Sequence, residues 1–168
     1  MNIVKKFFEM FDFKNWRLVM DTADFFTGEF ILNSIKYQSI IQKIDDNYDA
    51  WQIDFAKIDK NGMVYTTLTA DYKQINSNKV FSNVMDIAFS FIEEKKPKLL
   101  IWKSIDNDRH FLYRKFGEVL AEKYGYTHHY LHYEGDLSKC VYYATTYSND
   151  KTARILLNKT NLFDKLKK

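Results

Sequence analysis

Residues Gly62 to Tyr133 constrain the fold more than any other part of this chain. Apolar periodicity switches there between the strand period and the helix period, in the order strand, loop, helix, strand, helix, strand. From Met63 to Asp71, Val64, Thr66, Leu68 and Ala70 alternate with Tyr65, Thr67 and Thr69, as in a strand. A polar loop, Tyr72 to Lys79, leads to a helix over about Val80 to Glu94, with Ser77 or Asn78 placed to cap it. Its stripe of Val80, Phe81, Val84, Met85, Ile87, Ala88, Phe89, Phe91 and Ile92 is wide, which predicts burial around much of the circumference. Lys95 and Lys96 suit the C-terminal dipole, and the only proline, Pro97, stops the helix. Leu99 to Trp102 is a continuous apolar run, expected of a strand covered on both faces. A second helix follows over about Asp108 to Tyr124, with Phe111, Leu112, Phe116, Val119, Leu120 and Tyr124 as its apolar positions and Gly125 as a left-handed cap. The strand Thr127 to Tyr133 ends the unit.

The flanks extend this unit. Ile3, Val4, Phe7, Phe8 and Phe11 have helical spacing, and Asn15 to Met20 reads as a strand. Asp21 to Glu29 reads as loop or short helix. Ile35 to Ile44 is a strand facing two apolar layers, closed by an Asp45-Asp46-Asn47 turn. Trp51, Ile53 and Phe55 alternate with polar or small residues in a half-buried strand. Asn61-Gly62 predicts a tight hairpin back into Met63 to Asp71. A strand followed by a crossover helix and another strand predicts Met63–Asp71 and Leu99–Lys103 as parallel neighbours. Beyond a turn near Glu134 to Asp136, Lys139 to Tyr147 pairs back, and residues 151–166 form a basic amphipathic closing helix.

The 168 residues fit one domain, with its core in residues 35–147. With 46% hydrophobic and 17% aromatic residues, a sizeable core can form. No apolar run approaches the ~18 residues of a membrane span. The N-terminus lacks a continuous apolar segment and a small-residue cleavage site, so no signal peptide is read. The single Cys140 excludes an internal disulfide and fits a reducing compartment. The expected location is therefore the cytoplasm. The formal charge of +3 is concentrated in the tail, where Lys151, Arg154, Lys159, Lys165, Lys167 and Lys168 face only Asp150 and Asp164. Only four residues are arginine, which argues against dedicated duplex readout, since base and phosphate forks favour that side chain.

The element order resembles the GNAT acetyltransferase superfamily, and so does the segment Asn107 to Tyr126. Asn107, Arg109, Leu112, Tyr113, Lys115 and Gly117 approximate the helix motif of that family, with Arg109 to Tyr113 one residue short. Val80-Phe81-Ser82-Asn83-Val84 and the Arg109 to Tyr113 helix are similar to a set of GNAT-like bacteriophage proteins, which carry no assigned activity. The resemblance implies a single α/β (α+β) domain with a central mixed, mostly antiparallel sheet and helices on both faces. It implies a host-cytoplasm location, acetyl-CoA as cofactor and Tyr113 as general acid, a phenol suited to protonating a departing thiolate. It places the cofactor phosphates at Asn76, Ser77, Asn78, Lys79 and Val80, with Asn107 and Arg109 nearby. The chain departs from the family at this loop. Working members use a glycine-rich turn to bring backbone amides to a pyrophosphate, and no glycine occurs here between Gly62 and Gly117.

Other residues weigh less. His128 and His132 share a strand face but stand ~13 Å apart at the standard rise, too far to hold one ion, and no metal is expected. Cys140 reads as an inert core thiol, and Asp45, Asp46 and Asp49 as a turn. Tyr65, Trp102, Tyr130, Tyr142 and Tyr143 are candidates to stack on bases, although core and surface packing explain them better. A complete fold pattern without its cofactor cradle points to a non-catalytic protein that binds a host or viral macromolecule, with no cofactor. The alternative is an N-acetyltransferase with an atypical loop. The expected partner is a protein, with nucleic acid as a second candidate through the basic tail and no membrane.

Overall fold

A computed structural model describes residues 15–62, 64–65, 77–104, 110–133, 136–147, 151 and 154. The chain is an α+β fold, a mixed sheet with two α-helices among the described residues. The strands are β1 (Trp16–Asp21), β2 (Phe25–Leu32), β3 (Ile35–Asp45), β4 (Ala50–Ile58), β5 (Val64–Tyr65), β6 (Leu99–Ser104), β7 (Thr127–Tyr133) and β8 (Asp136–Thr145). Helix α1 spans Ser77–Lys95 and α2 spans His110–Tyr124. No described helix is long and apolar enough to cross a membrane. Contacts divide the chain into two compact units, one built around α1 and one around α2.

In the α1 unit the strand order is β1-β2-β3-β4, with β5 antiparallel on β4. The segment expected to be loop or short helix, Asp21 to Glu29, instead runs into β2. The hairpin that carries it turns on Asn33 and Ser34, with φ of 50° and 65°. Leu32 pairs with Ile35, so only these two left-handed residues connect the strands. The Asn61-Gly62 turn also differs from expectation. Gly62 is left-handed at φ 77°, Asn61 is not, and the Gly62 N–H donates to Asp59 O at 3.0 Å, so the turn takes four residues.

Helix α1 begins at Ser77, so Ser77 and Asn78 lie inside it rather than capping it. The wide stripe is buried as predicted: Val80, Phe81, Val84, Ile87, Ala88 and Phe91 are each at most 2% exposed. The helix sits hard against β2. A Cβ on Gly28 would stand 2.6 Å from two carbons of Ile87, so only glycine fits that approach. Phe26 packs on Phe91 with ring centroids 5.5 Å apart. Asn83 is fully buried and satisfied, accepting the Asn15 N–H at 2.7 Å and donating to Lys79 O at 2.8 Å.

The end of α1 breaks a rule. Lys96 takes φ 48° and its N–H donates to Ile92 O at 2.9 Å, a left-handed cap where glycine is usual. That conformation costs an L-residue about 1–2 kcal/mol, part of which glycine would give back as unfolded-state entropy. Lys96→Gly is therefore expected to stabilise by about 0.5–1 kcal/mol, raising the denaturation midpoint. A lowered midpoint in urea would show that the lysine side chain matters more than the backbone.

In the α2 unit the order is β6-β8-β7, both pairs antiparallel. Strand β8 begins at Asp136, three residues before the expected Lys139. Asp49, left-handed at φ 45°, ties the unit together. Its carbonyl accepts the Leu99 N–H at 3.3 Å, and its carboxylate accepts the Lys98 N–H at 3.1 Å and Trp51 Nε1 at 2.9 Å. The first residues of β4 therefore lie beside the start of β6, where the sequence predicted the strand Met63–Asp71. Of that strand only Val64 and Tyr65 are described, and they pair with Ile58 and Lys57 of β4. One face of β6 and β8 packs Leu99, Ile101, Val141 and Tyr143 with Ala50, all fully buried. Helix α2 lies on the other face and ends as predicted, with Gly125 at φ 75° donating to Ala121 O at 3.2 Å. The expected helix at residues 2–11 lies outside the described residues. So does most of the helix at 151–166, of which only Lys151 and Arg154 are described, both helical and exposed.

Candidate functional site

Register places three aromatic side chains in one row across the α2 unit. Trp102 of β6 pairs with Tyr142 of β8, and Tyr142 pairs with Tyr130 of β7. Cross-strand partners share a face, so the rings form a ladder under α2. Trp102 and Tyr142 stack at 5.9 Å and 7°, and Tyr130 lies 6.2 Å from Tyr142. Helix α2 covers the ladder. Phe116 meets Trp102 edge-on at 4.9 Å, and Tyr113 meets Tyr142 edge-on at 5.5 Å and 79°. His110 Nδ1 is hydrogen-bonded to the Tyr142 hydroxyl. The ladder opens to solvent at one end only, since Trp102 and Tyr142 are buried and Tyr130 is 37% exposed.

The electrostatics favour neutral, protonated groups. Burial pushes the Tyr142 phenol well above its ordinary value, and neighbouring Cys140 and Tyr113 add to this. The protonated Tyr142 hydroxyl can donate to His110 Nδ1 or accept from it, according to which ring nitrogen carries the proton. Burial likewise pushes the Cys140 thiol up to about 11, so it is not a nucleophile at neutral pH, in agreement with the expected inert thiol. The Trp102 indole N–H is buried without a hydrogen-bond partner. No group of His, Cys, Asp and Glu suited to a metal ion occurs among the described residues.

His128 lies on β7 at the seam with α2. Its ring fills the space over Gly117, where a Cβ would stand 2.8 Å from Nδ1. Burial lowers its pKa below the ordinary value, aided by His129 and Arg114 and opposed by Glu118. A histidine with a depressed folded pKa contributes stability that is complete above its unfolded value, near ~6.5, and is lost as pH falls through the folded pKa. Between pH 8 and pH 5 the wild type should therefore lose more thermal stability than His128→Gln. Parallel melting curves that never diverge would remove His128 as the cause.

Tyr113 is in the first turn of α2 and only 5% exposed, its ring turned into the ladder. Ser77, Asn78, Lys79 and Val80 form the first turn of α1, in the other unit. There Val80 is 1% exposed and packs in the core, while Lys79 is exposed. Asn76, Asn107 and Arg109 lie outside the described residues. Phe111, expected in the apolar face of its helix, is instead 58% exposed, and Tyr113 takes the buried position. Of the aromatics proposed to stack on bases, Trp102, Tyr142 and Tyr143 are buried and Tyr130 is exposed.

Sequence reasoning missed the Tyr142–His110 pair and Arg114. The Arg114 guanidinium lies 5.3 Å over the Tyr130 ring. The pair is visible only once β7 and β8 are in register. A separate open groove of 190 Å³ in the α1 unit is lined by Asn15, Trp16, Arg17, Glu29, Phe30 and Ile31. Its charges are already matched. Burial alone would raise the Glu29 carboxyl, but hydrogen bonds from Arg17 and Gln38, with Lys36 nearby, outweigh it and hold the group below its ordinary value. Comparison with protein-family models, with curated proteins and with solved structures returns no match for this chain.

Proposed function

We propose that this chain acts by binding a host or viral macromolecule, most simply a protein, as a regulator or inhibitor, and not by acyl transfer. The observation that carries the reading is the placement of Tyr113. A general acid must touch the departing group, whereas Tyr113 is 5% exposed with its ring packed edge-on to Tyr142. The chain also has no glycine between Gly62 and Gly117 with which to form a phosphate-binding turn. In this reading the fold is a single GNAT-like domain with helices on both faces of its sheet, working in the host cytoplasm without a cofactor. A scaffold of that kind carries no function by itself. Recognition then rests on exposed aromatic and arginine side chains, the residue types that anchor interfaces.

The test runs two measurements on the same preparation. Calorimetry and melting with acetyl-CoA at on the order of 1 mM should give neither heat nor a raised melting temperature, since a bound ligand must stabilise the folded state. A pull-down from host lysate should give the same specific partner with wild type and with Tyr113→Phe. Acetylated lysines or amines that disappear with Tyr113→Phe would overturn the reading and restore an N-acetyltransferase.

A further inference from the structure

We propose that β7 and α2 together form a docking site for an extended acidic protein segment, which adds as a strand to the outer edge of β7 and places a carboxylate on Arg114. This deepens the binding reading above and rests on it.

Three observations converge on one surface. First, β7 ends the β6-β8-β7 order, and its described pairing is with β8. From Thr127 to His132 the register is unbroken, and Thr127, His129 and Tyr130 are exposed. An edge of that length and regularity is what an added strand needs, with main-chain hydrogen bonds supplying affinity and alternate side chains supplying choice. Strand β1, the edge of the other unit's order, differs. It carries a bulge between Leu18 and Met20, which disturbs regular pairing.

Second, Arg114 is exposed and lies 5.3 Å over Tyr130, the middle residue of β7. Among the described residues no carboxylate pairs with it, unlike Arg17 with Glu29 at 2.7 Å and Lys115 with Glu118 at 2.7 Å. Its planar fork is held by the ring and keeps its donors for a carboxylate. Third, Phe111 stands three residues before Arg114 on α2, and so beside it on the helix surface, and is 58% exposed. An arginine with no carboxylate partner among the described residues, set between two exposed aromatics, has the composition of an interface centre.

Register turns these into a specific partner. A residue opposite Tyr130 on an added strand would have its Cβ about 5 Å from that of Tyr130, on the α2 face. That position is within reach of the guanidinium, and its neighbours two residues away would meet Phe111 and the β7 surface. The charge match asks for an acid there. A phosphate backbone fits less well, because it needs a basic stripe, and α2 offers one arginine here, Lys115 being paired with Glu118.

The probe is an acetylated, amidated heptapeptide with glutamate and valine alternating, compared with its glutamine counterpart and with oligo-dT. Binding is followed by fluorescence anisotropy and by amide chemical shifts of the wild type. The glutamate peptide should bind at least about tenfold more tightly than the glutamine peptide, as a hydrogen bond to a charged group allows. Arg114→Gln should erase that difference, and Thr127 to His132 should show the largest shifts. Equal binding of the two peptides, no binding at millimolar peptide, a preference for oligo-dT, or a difference that survives Arg114→Gln would overturn the proposal. Failure of the underlying reading is distinguishable. A lysate partner retained by both wild type and Arg114→Gln leaves a binding protein with a different surface. Acetylation dependent on Tyr113 removes the binding reading itself.

Discussion

Gly28→Val is expected to destabilise the protein by about 3 kcal/mol, enough to lower its melting temperature by roughly 10 °C. The cause is the approach of α1 to β2. A Cβ at position 28 would meet Ile87 Cδ1 and Cγ1 at 2.6 Å and Cγ2 at 3.0 Å, so the whole isoleucine side chain blocks it, not just a mobile tip. Ile87 is fully buried and flanked on the helix by Val84, Ala88 and Phe91, none more than 2% exposed, so it has no free volume to retreat into. The strand gains some β-propensity from valine, an effect of at most ~1 kcal/mol that does not offset the clash. Truncating the obstacle tests the mechanism. Ile87→Ala alone should cost ~2–5 kcal/mol, and the double variant Gly28→Val with Ile87→Ala should cost at least ~1 kcal/mol less than the sum. Strict additivity would mean that the damage at position 28 has another origin.

The same contact explains what was legible in the sequence. Elements whose burial is set by their own periodicity were readable: the wide stripe of α1, the doubly covered run Leu99 to Trp102, and the glycine cap at Gly125. What escaped depended on partners distant in sequence. The sequence predicts loop or short helix over Asp21 to Glu29, and the hairpin of β2 turns on Asn33-Ser34, two left-handed residues with no glycine to signal a strand pair. Once β2 is recognised, Gly28 is a strand residue that must face a helix, not a loop glycine. The helical phase of Phe111 fits the apolar stripe and predicts burial, yet the surface of α2 that meets β7 and β8 is centred on Tyr113, Phe116, Val119 and Leu120. Lys96 shows a local rule overridden, with Pro97 ending the helix so soon that a lysine takes the glycine position. The candidate site was the least legible part. Tyr113 stands out in the sequence only through the resemblance of its helix to a family motif, and its neighbours Trp102, Tyr142 and Tyr130 come from three strands whose register no local pattern specifies.

That register makes Tyr142 the residue whose loss should cost most in the α2 unit. It pairs across to Trp102 on one side and Tyr130 on the other, with Tyr113 and His110 above, at ring distances of 5.9, 6.2, 5.5 and 5.6 Å. It is 1% exposed, so its removal opens a cavity rather than a surface dent. Tyr142→Ala should cost ~3–5 kcal/mol, the range for a buried aromatic cut to alanine. Tyr142→Phe separates the ring from the hydroxyl. It keeps the stack but leaves His110 Nδ1 without its hydrogen-bond partner, for ~1–2 kcal/mol. The order of the two values decides whether packing or the hydrogen bond dominates, and the geometry favours packing. If Tyr142→Phe proved as damaging as Tyr142→Ala in urea titrations, the Tyr142–His110 bond would be the main support of the α2–sheet seam. Because Arg114 is positioned by Tyr130 at the solvent end of the same ladder, the effect should reach the surface. Tyr142→Phe, with the stack intact, should leave the preference for the glutamate peptide over the glutamine peptide unchanged. Tyr142→Ala, studied well below its melting temperature, should weaken that preference by letting Tyr130 and the guanidinium above it shift together. An unchanged peptide preference in folded Tyr142→Ala would show that the surface is set by β7 alone.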